Sequence, residues 1–256
     1  MKVVILAGGL GTRLAEETTV RPKPMVDIGG RPILWHIMKT YAHYDLKSFV
    51  LALGYKGDVV KDYFLRLRAI QHDINLNLCT GAVDYIGPNG LDWEVRMIDT
   101  GLRSMTGGRL HRLASQLGDA TFMATYGDGV ADVNISDLLD FHRSHGRIAT
   151  VTAVRPPARF GTMTFSGDRV IEFREKPQTS EGWINGGYFV FEPEIFEYLD
   201  GDDTVLEAEP FERLAHDGEL MAFRHSGFWQ CMDTIRDKQR LDALWETGKA
   251  PWKVWP

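Results

Sequence analysis

The chain has 256 residues, 44% hydrophobic and 25% charged, which is enough apolar content to bury one large core and excludes a disordered protein. Its 35 acidic and 29 basic residues give a formal net charge of −6, which excludes the broad basic footprint of a general nucleic-acid binder and leaves any nucleotide to a local pocket. Cys79 and Cys231 are the only cysteines and form no CxxC pair, so a disulfide framework and a cysteine-rich zinc site are excluded and a reduced, cytoplasmic setting is expected.

Val3, Val4, Ile5, Leu6 and Ala7 form a continuous apolar run ending at Gly8 and Gly9, the pattern of a central parallel strand buried on both faces. The run is too short for a signal-peptide core, and no later stretch approaches the ~18 apolar residues of a membrane span, so no membrane partner is expected. A loop from Gly8 to about Met25 leads to a helix with Pro32 in its first turn and Ile33, Leu34, Ile37, Met38 and Tyr41 at helical spacing. Residues 48–53 predict a strand, 58–70 a helix with Val59, Val60, Tyr63, Phe64 and Leu67 inward, and 74–78 and 93–99 further strands. A helix over 109–117 and a strand over 121–126, ending at Gly127 and Asp128, continue the alternation. Such alternation predicts an α/β fold with a doubly wound, mainly parallel (Rossmann-like) sheet, whose ligands bind beyond the carboxyl ends of strands.

From Ile148 the pattern turns β-rich, with strands expected over 148–154, 161–165, 170–173 and 188–191 extending the sheet into a second lobe. A last helix over 234–245 is stopped by Gly248 and Pro251. With no repeat or linker, the expectation is one domain: residues 1–147, then 148–233, then a helix and tail over 234–256. His142 and His145 are expected on the polar face of a helix rather than at a metal.

Gly8-Gly9-Leu10-Gly11-Thr12-Arg13 follows the first strand directly. Glycines there let backbone N–H groups approach a polyphosphate with no Cβ in the way. The loop lacks the Gly-Lys-Ser/Thr of Walker A, and Leu14 stands where a dinucleotide fingerprint needs its third glycine. Its second half, Arg21-Pro22-Lys23-Pro24-Met25, holds one lysine between two prolines that fix the backbone. Lys23 and Arg13 together can hold a triphosphate and neutralise a leaving pyrophosphate.

The strings AGGLGTRL, from Ala7 to Leu14, and RPKPM, from Arg21 to Met25, resemble the signature of the sugar-1-phosphate nucleotidyltransferases. The resemblance implies the fold of nucleotide-diphospho-sugar transferases with a sugar-binding β-rich extension. It also implies that Leu6, Ala7, Gly8, Gly9, Leu10, Gly11, Thr12 and Arg13 embrace the nucleotide, with Lys23 on phosphate.

Nucleotidyl transfer between two anions needs a bridging cation, and Mg²⁺ accepts one or two carboxylates with water and phosphate oxygens as its other ligands. Asp128, between Gly127 and Gly129, and Asp233, just before the last helix, are candidates on sequence grounds, although a turn and an N-cap would select the same residues. The resemblance makes both Mg²⁺ ligands, with Gly127 on the nucleotide. It assigns Glu175, Lys176, Asn185 and Gly186 to the sugar phosphate. In the family pattern a proline stands where this chain has Cys231. Trp229 is expected to pack rather than to bind.

The likeness extends over nearly the whole chain and is closest to the cytidylyl-transferring branch, through Arg31 to Lys39, Thr100 to Leu110, Tyr126 to Asp132, Arg159 to Gly161, Met232 to Lys238 and Gly248 to Lys253. It implies CTP and glucose 1-phosphate as substrates and places Ser104, Thr106, Gly107 and Arg109 in the nucleotide site. It further implies a homo-oligomer, a hexamer in that branch, and a product feeding bacterial surface-polysaccharide pathways.

Overall fold

The computed structural model describes residues 1–87, 90–156, 162–166, 169–174 and 182–256, with Arg13, 162–166 and 172–174 described by backbone alone. The frame is a seven-stranded sheet of β1 (Lys2–Leu6), β2 (Ser48–Leu53), β3 (Glu94–Asp99), β4 (Phe122–Tyr126), β5 (Ala149–Val154), β6 (Ile184–Phe191) and β7 (Leu220–His225), ordered β7-β5-β6-β4-β1-β2-β3. β1 runs parallel to β2 and β4, β2 to β3, and β5 to β7, while β6 is antiparallel to β4 and β5. Six strands therefore share one direction and β6 opposes them. The expected mainly parallel α/β fold is present.

The buried run in β1 explains its central place. Alternate residues face opposite sides, so Val3 and Ile5 join one core with Ile33, Ile37 and Tyr41, while Val4 and Leu6 join a second core with Leu110 and Leu113. The first core is covered by α1 (Ile33–His43) and the second by α3 (Thr106–Leu117), with α2 (Gly57–Gln71) following β2. α4 (Ile135–His145), α5 (Glu209–His216) and α6 (Ile235–Glu246) complete the described α-helices longer than one turn. Among the described residues no helix is long and apolar enough to cross a membrane.

Several elements depart from the sequence expectation. α3 starts at Thr106 rather than Arg109, because Gly107 and Gly108 let its first turn press on the 202–204 loop. A Cβ on Gly108 would stand 2.2 Å from the Asp202 carbonyl oxygen. The strand expected over 74–78 lies outside the sheet, as Asp73–Leu76 paired in a hairpin with Val83–Ile86. Register puts Ile74 opposite Tyr85 and Leu76 opposite Val83, so one hairpin face is wholly apolar, and all four side chains are exposed. Thr162–Ser166 and Arg169–Arg174 likewise pair with each other instead of extending the sheet.

His142 and His145 do not occupy a polar surface. His142 is buried between Thr150 Oγ1 at 2.8 Å and Glu192 Oε1 at 3.0 Å, and His145 Nε2 lies 2.8 Å from the same Thr150 oxygen. Polar side chains of β5 and the 192 turn satisfy rings that helical periodicity alone assigned to solvent.

The chain's end returns to α1. Gly248 takes φ +68° just beyond α6, where glycine stops a helix without Cβ strain, and the tail then buries Trp252 and Trp255. His36, fully buried, donates from Nε2 to the Ile28 carbonyl at 2.9 Å and receives the Trp252 indole N–H on Nδ1 at 3.4 Å. A carbonyl only accepts and an indole only donates, so the ring is neutral with its proton on Nε2.

Burial lowers the His36 pKa to about 4. The unfolded chain therefore binds more protons than the folded one between that value and about 6.5, and stability falls as pH drops through this window. The loss amounts to about 3 kcal/mol once pH reaches the folded value. Chemical denaturation from pH 7 to 4 reads it, and His36→Gln, which keeps a donor and an acceptor but does not titrate, shows a correspondingly shallower slope.

Candidate active site

The loop after β1 is held in shape by one buried cation. Arg109, from the first turn of α3, is 4% exposed and donates from Nη1 to Leu53 O at 3.1 Å, Thr100 Oγ1 at 2.8 Å and Gly101 O at 2.8 Å. Its Nη2 donates to Gly8 O at 2.9 Å, which also accepts from Tyr55 N. The carboxyl ends of β1, β2 and β3 are thus tied to one guanidinium, whose pKa burial pulls down. Gly8 has to be glycine, since a Cβ there would lie 2.2 Å from Arg109 Nη1. Gly11 adopts φ +64° and packs between Thr18 and Lys23, whereas Gly9 faces open space.

Lys23 opens a tight helical turn, Lys23–Met25, entered through an extended Pro22 and continued by Pro24. The turn buries the lysine stem and aims its ammonium at two carboxylates: Asp128 Oδ2 and Asp233 Oδ1 each lie 2.5 Å from Nζ. Burial by itself would lower the Lys23 pKa, but Asp128 and Asp233 outweigh it and hold the group above its ordinary value. The two aspartates therefore converge on one point, although they stand 105 and 210 residues from the lysine.

Each aspartate is aimed by its own backbone. Asp128 sits between β4 and the short strand Gly129–Ala131, which pairs antiparallel with Trp229–Cys231. Met232 N donates to Asp128 O at 2.8 Å, joining the two aspartate segments directly. Asp233 does not cap α6: Thr234 does, in a capping box with Asp237, which leaves the Asp233 carboxylate for Lys23. Cys231 lies opposite Gly129 at a pair between the ladder hydrogen bonds, since Met232 N bonds to Asp128 O and Asp132 N to Phe228 O, so its N–H points away from the partner strand and the ladder itself does not select against proline there. Burial, with Asp233 and Asp128 beside it, pushes the Cys231 thiol up to about 12.

Leu6, Gly8, Gly9, Gly11, Thr12, Lys23, Ser104, Thr106, Arg109, Gly127, Asp128 and Asp233 line one cleft of about 600 Å³. Three residues expected with them do not. Ala7 is spent in the core, Leu10 points to solvent, and Gly107 is buried against Thr204. A neighbouring pocket of about 220 Å³ contains Asn185 and Gly186 and shares Tyr126, Asp128 and Asp233 with the cleft. Trp229 also lines it and donates to Gly186 O at 2.8 Å. The Arg13 side chain, Glu175, Lys176 and the Arg159-to-Gly161 stretch lie outside the described residues.

Sequence reasoning missed Pro24, Met105, Tyr126 and Glu207, which line the cleft as well. Tyr126, next to Gly127-Asp128 at a strand end, carried a positional signal. Glu207 carried none, because its hydrogen-bond partner Thr106 is 101 residues away.

The donor set suits a divalent cation. Two carboxylates already share one ammonium, and Mg²⁺ takes one or two protein carboxylates with water and phosphate oxygens beside them. No group of three or more metal-ligating side chains gathers among the described residues, here or elsewhere, so the protein's share of such a site is these two carboxylates. The geometry can therefore gather polyphosphate at backbone amides and cations, with two carboxylates at the wall between two pockets.

The nucleotidyl transferase family profile matches residues 2–235. The chain is 52% identical over 256 residues to a glucose-1-phosphate cytidylyltransferase from Salmonella typhi and 43% identical over 256 residues to a probable one from Bacillus subtilis (strain 168), covering 100% of each chain in both alignments. Its fold is similar to the crystal structure of HddC from Yersinia pseudotuberculosis, with a TM-score of 0.70 at 23% identity over 95% of this chain and 99% of the other.

Lys23→Met leaves the two carboxylates facing each other without their shared cation. Losing a charged hydrogen-bond partner costs about 2 kcal/mol, so the thermal midpoint falls, and added Mg²⁺ restores more of it in the variant than in the parent. A melt insensitive to both the substitution and the metal would contradict the shared-cation geometry.

Proposed function

This chain belongs to the nucleotidyl transferase family, and from that premise we propose that it transfers the cytidylyl group of CTP to glucose 1-phosphate, giving CDP-glucose and pyrophosphate. The observation that carries this reading is the convergence of Lys23, Asp128 and Asp233 beside the glycine loop. The choice of CTP and glucose 1-phosphate draws on the names of the full-length relatives.

In the proposed reaction a phosphate oxygen of glucose 1-phosphate attacks the α-phosphorus of CTP in line with the leaving pyrophosphate. One P–O bond forms and the α–β phosphoanhydride P–O bond breaks, with the electron pair leaving on pyrophosphate. The attacking phosphate is already ionised, so no enzyme nucleophile or base is required, and the protein's contribution is alignment and charge stabilisation. Backbone groups from Gly8 to Thr12 receive the triphosphate, and Lys23 neutralises it. Asp128 and Asp233 would hold Mg²⁺, which supplies charge neutralisation at the transferring phosphoryl group. Arg13 on the triphosphate, and Glu175 and Lys176 on the sugar phosphate, are assigned by their motifs alone. Asn185 and Gly186 contribute the described sugar-side wall.

We read the chain as one domain, with residues 1–147 serving the nucleotide and 148–233 the sugar phosphate. Strand β6 of the second half pairs with β4 of the first, which supports that reading. A reducing cytoplasm remains the proposed setting. A homo-oligomer, a hexamer by resemblance, is supported by the exposed Ile74, Leu76 and Val83 on one hairpin face, beside Tyr85, whose ring Arg68 covers at 4.2 Å. A two-stranded hairpin is marginal alone in water, and a second copy would cover this one.

Pyrophosphate release measured with four nucleoside triphosphates and glucose 1-phosphate tests the substrate assignment: CTP is turned over fastest, and chelation of Mg²⁺ stops the reaction. Equal turnover of CTP and UTP would remove the cytidylyl assignment. Lys23→Ala lowers kcat by about 10²–10³-fold, the effect of losing one transition-state charge stabiliser. Light scattering after gel filtration finds an oligomer that Leu76→Lys with Val83→Lys dissociates, and a monomeric parent would refute the self-association.

A further inference from the structure

Glu207 belongs to none of the sequence motifs, precedes α5, and lines the nucleotide cleft but not the sugar-side pocket. Its carboxylate joins those two places. Oε2 accepts from Thr106 Oγ1 at 2.6 Å and Oε1 accepts from the Tyr126 hydroxyl. The Tyr126 oxygen accepts in turn from Asn185 Nδ2 at 2.9 Å, and Asn185 Oδ1 accepts from Gly187 N at 2.8 Å. A continuous chain of four side chains therefore runs from the first turn of α3 to the sugar-side wall.

Every polarity along this chain is fixed. Thr106 Oγ1 already accepts from Leu206 N at 3.0 Å, and its hydroxyl proton points to Glu207. A carboxylate can only accept, so Tyr126 must donate to it, which leaves the tyrosine oxygen to accept from Asn185. The Asn185 amide is thereby oriented, nitrogen toward Tyr126 and oxygen toward Gly187. Gly187 sits at φ +77°, and a Cβ there would lie 2.2 Å from the Tyr126 ring, so the ring fills the space of a missing side chain and cannot swing that way.

We infer that Glu207 is a positioning residue that couples the two subsites, setting the orientation of Asn185 through Tyr126 while anchoring Thr106 at the nucleotide. This rests on the reading of Asn185 as a sugar-phosphate contact. In Glu207→Gln one carboxylate oxygen becomes a donor. Either orientation of that amide leaves one hydroxyl, that of Tyr126 or that of Thr106, facing a donor instead of an acceptor, so the chain from Thr106 to Asn185 is cut and the orientation passed to Asn185 loosens, although position 207 lines only the nucleotide side.

The test is steady-state kinetics on the whole enzyme, varying glucose 1-phosphate at saturating CTP, with thermal melting alongside. Glu207→Gln raises the KM for glucose 1-phosphate about tenfold, the effect expected for a hydrogen bond to a charged group, with kcat little changed and the midpoint unmoved. Tyr126→Phe keeps the ring and removes the hydroxyl, so it raises the same KM, and the double variant is no worse than the poorer single because both cut one chain. A KM for glucose 1-phosphate equal to the parent's in either variant, or additive effects in the double, overturns the coupling. Should Glu207→Gln fail to fold, Tyr126→Phe alone decides by its KM. A parent that does not turn over glucose 1-phosphate refutes the proposed function itself, whereas an active parent matched by both variants refutes only the role of Glu207.

Discussion

The site depends on two carboxylates being held against one lysine. Asp128 and Asp233 each approach Lys23 Nζ to 2.5 Å, and two like charges gathered this closely need a cation between them. The rest of the local architecture answers that need. Two prolines stiffen the turn that presents Lys23, a short antiparallel ladder ties the segments carrying the aspartates, and Thr234 rather than Asp233 caps the helix, so the Asp233 carboxylate is engaged by Lys23. A flexible lysine among solvated carboxylates would gain little from such a pairing, because exposed ion pairs are worth ~0–1 kcal/mol. This one is mostly buried, so its partners are fixed as well as charged.

The same fixing extends outward by backbone contacts. Arg109 gathers the ends of three neighbouring strands and so shapes the loop that receives anions, spending its donors on backbone carbonyls rather than on a counter-charge. At the opposite end, the C-terminal helix packs on the hairpin that follows Lys23: Gly29 N donates to Asp242 Oδ1 at 2.9 Å. A Cβ on Gly29 would lie 1.8 Å from the Trp245 ring. The lysine turn and the Asp233 helix are thus parts of one packed unit, with the buried tryptophans and neutral His36 beneath them. Side-chain pKa values follow this packing: desolvation acts on Lys23, Arg109, Cys231 and His36 alike, and only the counter-charges on Lys23 reverse its direction.

Much of this was legible in the linear chain because it is local. The apolar run of β1 and the glycines after it are written in consecutive residues, and so is the Pro-Lys-Pro turn. Periodicity of side chains requires no partner to be recognised. It fails where another element supplies the environment. His142 looked polar because its partners Thr150 and Glu192 lie on β5 and a later turn. Gly107 looked like a ligand loop because its contact, Thr204, comes from a distant segment. Residues 74–78 looked like a sheet strand because alternation cannot say which sheet a strand joins.

The sequence by itself determined the strand, loop and helix order, the glycine and lysine elements of an anion cradle, and the identity of two aspartates at element ends. Tertiary structure decided that those aspartates share one ammonium, that Arg109 spends donors on backbone carbonyls, and that Glu207 links Thr106 to Tyr126. The reason is physical: propensity and pattern act over a few residues, whereas a hydrogen bond between groups 100 or more positions apart exists only once the sheet has brought its strand ends together.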